Sequence, residues 1–221
     1  MQLVIATAVA LLPIINPFST APMFLAITEG HSEAERRAQA TRSVIYMICI
    51  LAAFLVGGTF IMKSFGLSLP GLRIAGGILV AGLGMGMLKP KEDDGQTQAE
   101  RQETRSKRDV SFTPLAMPIL AGPGAISVTI GMTSLASGLM DYLSIMGGIL
   151  LVAALIYITL RLSTRLVRLL GVTGLNAMTK IMGFLILCVG VQFIVNGVVE
   201  VASSTELVHG ILRAIEQAGE R

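Results

Sequence analysis

Six stretches of the chain contain no Asp, Glu, Lys, Arg or His, and together they predict six membrane-spanning helices. A helix needs about 17–25 mostly apolar residues to cross a bilayer. The chain has 221 residues, of which 53% are hydrophobic and 14% charged, whereas a soluble domain carries roughly 25% charged residues. We therefore predict an all-α membrane protein. The charge-free stretches are residues 1–28, 43–62, 74–88, 110–140, 142–160 and 181–199.

A polar segment, residues 89–109, separates two halves of similar length that each hold three predicted spans. Because three is an odd number, two homologous halves must lie upside down relative to one another, as in many secondary transporters. We predict two inverted three-helix repeats, residues 1–88 and 110–201, joined by a cytoplasmic linker. A short tail, residues 202–221, follows the second repeat.

Short motifs before the third span of each half support this repeat. FGLS at residues 65–68 corresponds to LGVT at residues 170–173, and RIAG at residues 73–76 corresponds to KIMG at residues 180–183. The separation stays between 105 and 107 positions. A constant separation across several motifs indicates internal symmetry.

The charges in the loops predict the orientation of the chain. Thirteen of the 17 Lys and Arg residues lie in the loops after spans 1, 3 and 5. By the positive-inside rule these loops are cytoplasmic, so both termini are expected outside. The net charge of +3 follows from these loops, and nucleic acid is therefore not an expected partner. The N-terminal stretch has no basic start and is expected to be a retained span.

The first and fourth stretches, of 28 and 31 residues, are longer than a straight span requires, and both contain several prolines, joined by glycines in the fourth. We predict that helices 1 and 4 are broken, at Asn16-Pro17 and at Gly122-Pro123-Gly124. Irregular backbone at membrane depth is tolerated only where it is buried in protein or lines a polar cavity. The breaks are therefore expected to face each other inside the protein. The alternative is a pair of kinks that serve packing alone.

The start of a helix presents unpaired amides and the positive end of the helix dipole, which attract an anion such as a carboxylate. The carbonyls that end the preceding half-helix suit an ammonium group or a coupling cation. This favours a small zwitterionic substrate. For polar side chains within spans, the alternative is hydrogen bonding within or between helices. The predicted substrate-binding residues are Asn16, Pro17, Ser19, Thr20, Gly122, Pro123, Gly124, Ser127, Thr129, Gln192 and Asn196.

No carboxylate lies within the six stretches, since Glu29, Asp141 and Glu200 stand at their ends. An intramembrane proton relay of the usual kind is therefore missing, which favours Na⁺ over H⁺ as the coupling ion. No bound cofactor and no metal site are expected, because the two histidines have no clustered ligands. Arg73 and Lys180, which the repeat pairs, are either symmetric gate charges or snorkelling residues.

Glycines in the third span, Gly76, Gly77, Gly82, Gly84 and Gly86, predict close helix packing. They follow no predicted strand, so they do not indicate a phosphate-binding loop. An enzyme is not expected either, since the chain contains neither HExxH nor GxSxG.

Four sequence segments resemble the MarC family of integral membrane proteins: NPFST from residue 16, FGLSLPGLRIAGG from residue 65, PLAMPILAGPGAI from residue 114 and MGFLILCVGVQFIVNG from residue 182. The resemblance implies a bacterial inner-membrane protein of a group that includes transporters of glycine or alanine driven by a cation gradient. It also implies that the family's two helix-breaking motifs are Asn16-Pro17 and Gly122-Pro123-Gly124. Phe18 departs from the family, in which a small residue is common, so substrate size stays open.

Three other functions remain as alternatives to a transporter of small neutral amino acids. Export of amphipathic compounds would favour a wide cavity with acidic or aromatic lining, yet only 5% of the residues are aromatic. For a membrane-embedded enzyme, the chain lacks the HExxH and GxSxG motifs. A non-transporting scaffold would not depend on the breaks. A homo-oligomer is compatible with each of these functions.

Overall fold

The structure is a computed structural model that describes residues 1–88, 109–133 and 135–203, and within them every regular element is a helix. Because charge-free apolar segments cannot leave backbone groups unpaired in lipid, helices are the expected form. The predicted linker at residues 89–108 and the predicted tail from residue 204 lie outside the described part. The helices are α1 (Gln2–Ile15), α2 (Pro17–Ile27), α3 (Glu33–Ser64), α4 (Leu69–Leu88), α5 (Ser111–Leu120), α6 (Pro123–Thr133), α7 (Leu139–Arg161) and α8 (Ser163–Ala202).

Four segments are long and apolar enough to cross a membrane by themselves: α3, α4, α7 and the part of α8 from Thr173 to Ala202. The pairs α1–α2 and α5–α6 meet the same criterion only together, with bends of 46° and 58°. The described residues thus contain four spans, or up to six if each bent pair is one. The prediction that helices 1 and 4 are broken is confirmed.

Helix α3 begins well before its charge-free stretch. The hydroxyl of Ser32 accepts a hydrogen bond from the amide of Glu35, and the Glu35 carboxylate accepts one from the amide of Ser32. This capping box satisfies the first free amides of the helix and fixes its start at Glu33. At 32 residues, α3 is about 48 Å long, so it extends beyond a hydrocarbon core of about 30 Å.

The core of the bundle is built from apolar side chains of the broken helices together with α3 and α7. Helix α3 packs on α5 and α6, α7 packs on α1 and α2, and α3 also contacts α7. Helix α4 contacts α6, and α8 contacts α2. The largest fully buried side chains include Leu11, Phe24, Met47, Leu51, Leu115, Leu120, Ile149 and Ile156.

Helices α4 and α8 form the most extensive contact in the structure. They run antiparallel, because Gly77 lies against Gly190 while Gly84 lies against Gly183. A methyl group on any of these four glycines would come within 3.0 Å of an atom in the opposite helix. Small residues allow such close approach, and the predicted tight packing is confirmed. The contact does not use Gly82 and Gly86, which have open space around them.

Candidate functional site

The first break lies at Asn16, a buried residue with a φ of 41° between α1 and α2. Its amide donates to the carbonyl of Leu12 at 3.0 Å and so ends α1. Its side-chain oxygen accepts from the amides of Phe18 at 3.1 Å and Ser19 at 3.4 Å, which starts α2. Asn tolerates a positive φ better than most residues and is a favoured N-cap. One residue therefore ends α1 with its backbone and begins α2 with its side chain.

The start of α2 offers no free amide to a solute. Pro17 carries no N–H, Asn16 caps Phe18 and Ser19, and the amide of Thr20 donates to the carbonyl of Asn16 at 3.0 Å. Our expectation that this break presents unpaired amides was therefore wrong. The physical reason is that the side-chain oxygen of Asn16 already bonds to the first amides of α2, at the positive end of the helix dipole where a carboxylate was expected to bind.

The hydroxyl groups near the breaks bond to their own helices. Thr20 donates to the carbonyls of Ile15 at 2.7 Å and Asn16 at 2.9 Å. Ser19 donates to the carbonyl of Asn16 at 3.2 Å, and Thr129 to that of Ala125 at 2.8 Å. The bond from Thr20 to Ile15 satisfies the carbonyl of the last residue of α1. Each hydroxyl oxygen keeps lone pairs with which it can still accept a hydrogen bond.

The second break follows α5, which is wound more widely than an α-helix, with the amide of Ala121 donating to the carbonyl of Ala116 at 2.8 Å. Thr113 and Met117 have extended backbone angles, and the peptide bonds that follow them, to Pro114 and Pro118, are cis. Gly122 then sits so close to α5 that a methyl group on it would lie 2.3 Å from the Pro118 carbonyl oxygen. Only glycine fits there without backbone movement.

The start of α6 differs from that of α2 because Gly122 has no side chain with which to cap it. The amide of Ile126 donates to the carbonyl of Gly122 at 3.0 Å, and Pro123 has no N–H. Within the described ranges, the amides of Gly124 and Ala125 have no acceptor at hydrogen-bond distance. The expected free amides are therefore found at this break alone.

The two breaks adjoin each other beside α4. A methyl group on Gly124 would lie 3.3 Å from the Ile14 side chain, 3.2 Å from Leu83 and 3.5 Å from Val80. The Asn16 side-chain nitrogen lies 3.9 Å from the sulfur of Met87, also in α4. The end of α1 and the start of α6 thus meet on one stretch of α4, as expected of breaks that face each other inside the protein.

Residues 1–202 match the family described as MarC family integral membrane protein. The chain belongs to the MarC family. It is 38% identical over 204 residues to the "UPF0056 inner membrane protein MarC" of Escherichia coli O1:K1, which covers 87% of this chain and 92% of that relative. The protein of the same name from Shigella flexneri is 37% identical over the same coverage. No solved structure matches the chain.

These MarC relatives are named inner membrane proteins. With the apolar helices of the structure, the relationship identifies this chain as a multi-pass inner membrane protein. The resemblance that the sequence motifs indicated is confirmed.

Two of the predicted binding residues lie outside the two breaks. Gln192 and Asn196 are exposed on α8, where the Gln192 amide donates to the Asn196 oxygen at 2.7 Å. Gly190 and Gly197, which face α4, mark the other side of the helix. The remaining predicted residues, from Asn16 to Thr20 and from Gly122 to Thr129, lie at the two breaks. Among them, Ser127 packs directly against Gly76.

Arg73 and Lys180, which occupy equivalent positions in the two predicted repeats, have different surroundings. Arg73, at the start of α4, forms an ion pair with Glu200, at the end of α8, and its side chain is only 18% exposed. Lys180 is exposed on α8. The ion pair therefore holds one end of the α4–α8 contact together, a role that the sequence did not reveal because the partners lie 127 positions apart.

Proposed function

We propose that this protein is a secondary transporter that moves a small neutral amino acid, of the size of glycine or alanine, through a site between its two helix breaks. The adjoining breaks at Asn16 and Gly122 are the observation that carries the proposal. Irregular backbone at membrane depth is tolerated only where it is buried in protein or lines a cavity, and in many transporters such breaks form the substrate site. Membership of a family of inner membrane proteins is consistent with this function.

The packing supports an origin of the site from two inverted repeats. If α1 is exchanged for α5, α2 for α6, α3 for α7 and α4 for α8, the principal contacts between helices remain the same. The contact of α3 with α5 and α6 becomes that of α7 with α1 and α2, and α4 with α6 becomes α8 with α2. The α3–α7 and α4–α8 contacts map onto themselves. Such symmetry is typical of transporters that alternate access around a central site.

The chemistry of the second break favours a carboxylate. The free amides of Gly124 and Ala125 begin α6, where the helix dipole adds positive potential. The carbonyl oxygen of Pro118 lies beside Gly122 and offers an acceptor of the kind an ammonium group requires. A zwitterion with adjacent charges satisfies both groups at once.

The surroundings of the second break favour a small substrate. A methyl group on Gly124 would already contact Ile14, Val80 and Leu83, and Asn16 and Thr20 are 1% and 2% exposed. An amino acid with a large side chain would need these apolar groups to separate further. Entry of any solute requires an opening of the bundle, as alternating access demands.

We propose cation coupling with Na⁺ rather than H⁺. Among the described carboxylates, Glu29, Asp141 and Glu200 lie at helix ends, and Glu200 is paired with Arg73. Proton coupling usually relies on a carboxylate within the membrane, whereas Na⁺ is held well by carbonyl and hydroxyl oxygens.

The test is uptake of labelled glycine and alanine into proteoliposomes under an imposed Na⁺ gradient, and separately under an H⁺ gradient. We expect Na⁺-dependent uptake that unlabelled alanine inhibits, but that glycinamide and acetate, which each lack one charge, do not. Absence of gradient-dependent uptake of any amino acid contradicts the proposal.

A pair of glycine variants links uptake to the break. Gly122→Ala brings a methyl group against the Pro118 carbonyl and is expected to reduce uptake at least tenfold. Gly86→Ala, in open space on α4, is the matched control and is expected to retain uptake. Equal uptake by both variants would remove the second break from the transport site.

A further inference from the structure

A cavity of about 690 Å³ lies at one end of the bundle, and none of the residues that line it stands at a helix break. It opens where the α2–α3 turn meets the junction of α7 and α8. Five arginines line it, and we call it the arginine pocket. These are Arg36, Arg37, Arg161, Arg165 and Arg168.

The pocket carries a large excess of positive charge. Its one carboxylate, Glu33, is 3.0 Å from Arg37, and both side chains of that pair are largely exposed. In the described part of the chain, no carboxylate lies within ion-pair distance of Arg161, Arg165 or Arg168. Like charges gathered around a cavity repel one another and favour an anionic occupant.

Two of the arginines are held by the protein in a way that leaves donors available. Arg161 donates to the Tyr157 hydroxyl at 2.8 Å and lies over the Tyr157 ring at 5.6 Å. Arg36 makes one long bond, 3.4 Å, to the carbonyl of Thr28, while its Nε is shielded from solvent and has no acceptor among the described residues. A guanidinium presents several donors in one plane and matches the oxygens of a phosphate.

The rim of the pocket is apolar on its outer side. Residues 163–170, which precede the positive φ of 61° at Gly171, place Arg165 and Arg168 beside leucines. Leu162 is 43% exposed and Leu169 is 83% exposed, and both line a smaller depression together with the same two arginines. Arginine beside exposed leucine is the pattern of a helix segment at the boundary between lipid headgroups and acyl chains.

The positive-inside rule accounts for the sign of these charges but not for their arrangement around a cavity with an apolar rim. A soluble anion would have no use for the exposed leucines, whereas a phospholipid has both a charged headgroup and acyl chains. We propose that the arginine pocket binds the phosphate of an anionic phospholipid headgroup, with the acyl chains against Leu162 and Leu169. Basic pockets between membrane helices bind such headgroups elsewhere.

Native mass spectrometry of the detergent-solubilised full chain tests this proposal by titration with phosphatidylglycerol or chain-matched phosphatidylcholine. We expect phosphatidylglycerol to bind at least tenfold more tightly. Arg165→Gln and Arg168→Gln should each weaken its binding about tenfold, the loss of one charge-assisted contact. Lys63→Gln removes one exposed charge at the opposite end of α3 and should leave binding unchanged.

Thermal unfolding with inorganic phosphate separates lipid from free anion as the occupant. Stabilisation by phosphatidylglycerol, lost in the arginine variants, with none from phosphate, supports the proposal. Stabilisation by phosphate that depends on Arg165 and Arg168, without a preference for phosphatidylglycerol, overturns the lipid assignment in favour of a soluble phosphate anion. Equal binding of the two lipids without any phosphate effect, or equal losses in the Lys63 and arginine variants, overturns the site altogether.

Discussion

The backbone of Gly84 in α4 lies directly against the backbone of Gly183 in α8. A methyl group on Gly84 would come within 2.5 Å of the Leu187 amide nitrogen and 2.7 Å of the Gly183 carbonyl oxygen. Because backbone atoms cannot move aside as a flexible side chain does, Gly84→Ala is expected to destabilise the protein by about 1–3 kcal/mol. Unfolding in mixed micelles with rising SDS, followed by circular dichroism, measures this cost.

The matched control for that variant is Gly82→Ala, two residues along α4 with open space around the glycine. Alanine favours a helix over glycine, so this variant should be neutral or slightly more stable. If both variants lose the same stability, the close α4–α8 contact is not what holds these helices together.

Loss of the Asn16 side chain is expected to weaken the first break. Asn16→Ala removes the cap of Phe18 and Ser19 and puts alanine at a φ of 41°, at a cost of about 2 kcal/mol. Asn16→Gly tolerates the backbone angle and should cost less. Asn176→Ala, at an exposed position on α8, is expected to change stability by less than about 0.5 kcal/mol. A loss in Asn16→Gly equal to that in Asn16→Ala would argue against strain at this residue.

The Arg73–Glu200 pair is expected to contribute more than a fully exposed ion pair, because the Arg73 side chain is 18% exposed and that of Glu200 is 40% exposed. A double-mutant cycle with Arg73→Gln and Glu200→Gln should give a coupling energy of about 1 kcal/mol. Reversal of both charges together should recover part of the stability. Additive losses from the two single variants would show that the residues act independently.

The pH dependence of stability is expected to include a contribution from Asp109. Hydrogen bonds from Ser111, with the nearby charge of Arg42, hold the pKa of the Asp109 carboxyl below its ordinary value of 3.8. A carboxyl whose folded pKa is lowered stabilises the fold above its unfolded pKa and loses that contribution as pH falls through the folded pKa.

Stability measured against pH for the wild type and Asp109→Asn checks this contribution. The wild type should be the more stable near neutral pH, by a small margin because Asp109 is half exposed, and the two should converge only as the pH falls through the lowered pKa of Asp109, below 3.8. A margin that is unchanged at low pH would contradict the assignment.

The apolar helices and both breaks could be predicted from the sequence, because absence of charge and clustered prolines are local features of the chain. Which face of each helix turns toward the core and which toward the lipid could not be predicted. In a membrane helix both the core side and the lipid side are apolar, so no polar stripe separates them. For that reason Gly82 and Gly86 looked equivalent to Gly77 and Gly84, and Gln192 and Asn196 looked like inward residues although both are exposed.

Other features depended on contacts between distant residues. The partnership of Arg73 with Glu200 and the gathering of Arg36 and Arg161 around one cavity arise only when α3, α4, α7 and α8 pack. The capping of α2 by Asn16, by contrast, could have been predicted from the sequence. Asn is favoured as an N-cap because its side chain accepts the free amides, so an Asn-Pro break predicts amides that are already engaged.

The cap at Asn16 gives the two breaks different dependence on an occupant. At the first break, the amides are bonded to the Asn16 side chain and to backbone carbonyls, so their hydrogen bonds are complete whether or not a solute is present. The bend at Gly122 leaves two amides without an acceptor in the described chain, and buried donors without acceptors cost about 1–3 kcal/mol each. In the transport function proposed above, the first break therefore needs no solute to complete its hydrogen bonds, whereas a carboxylate bound at the second break would satisfy both amides and stabilise the loaded protein relative to the empty one.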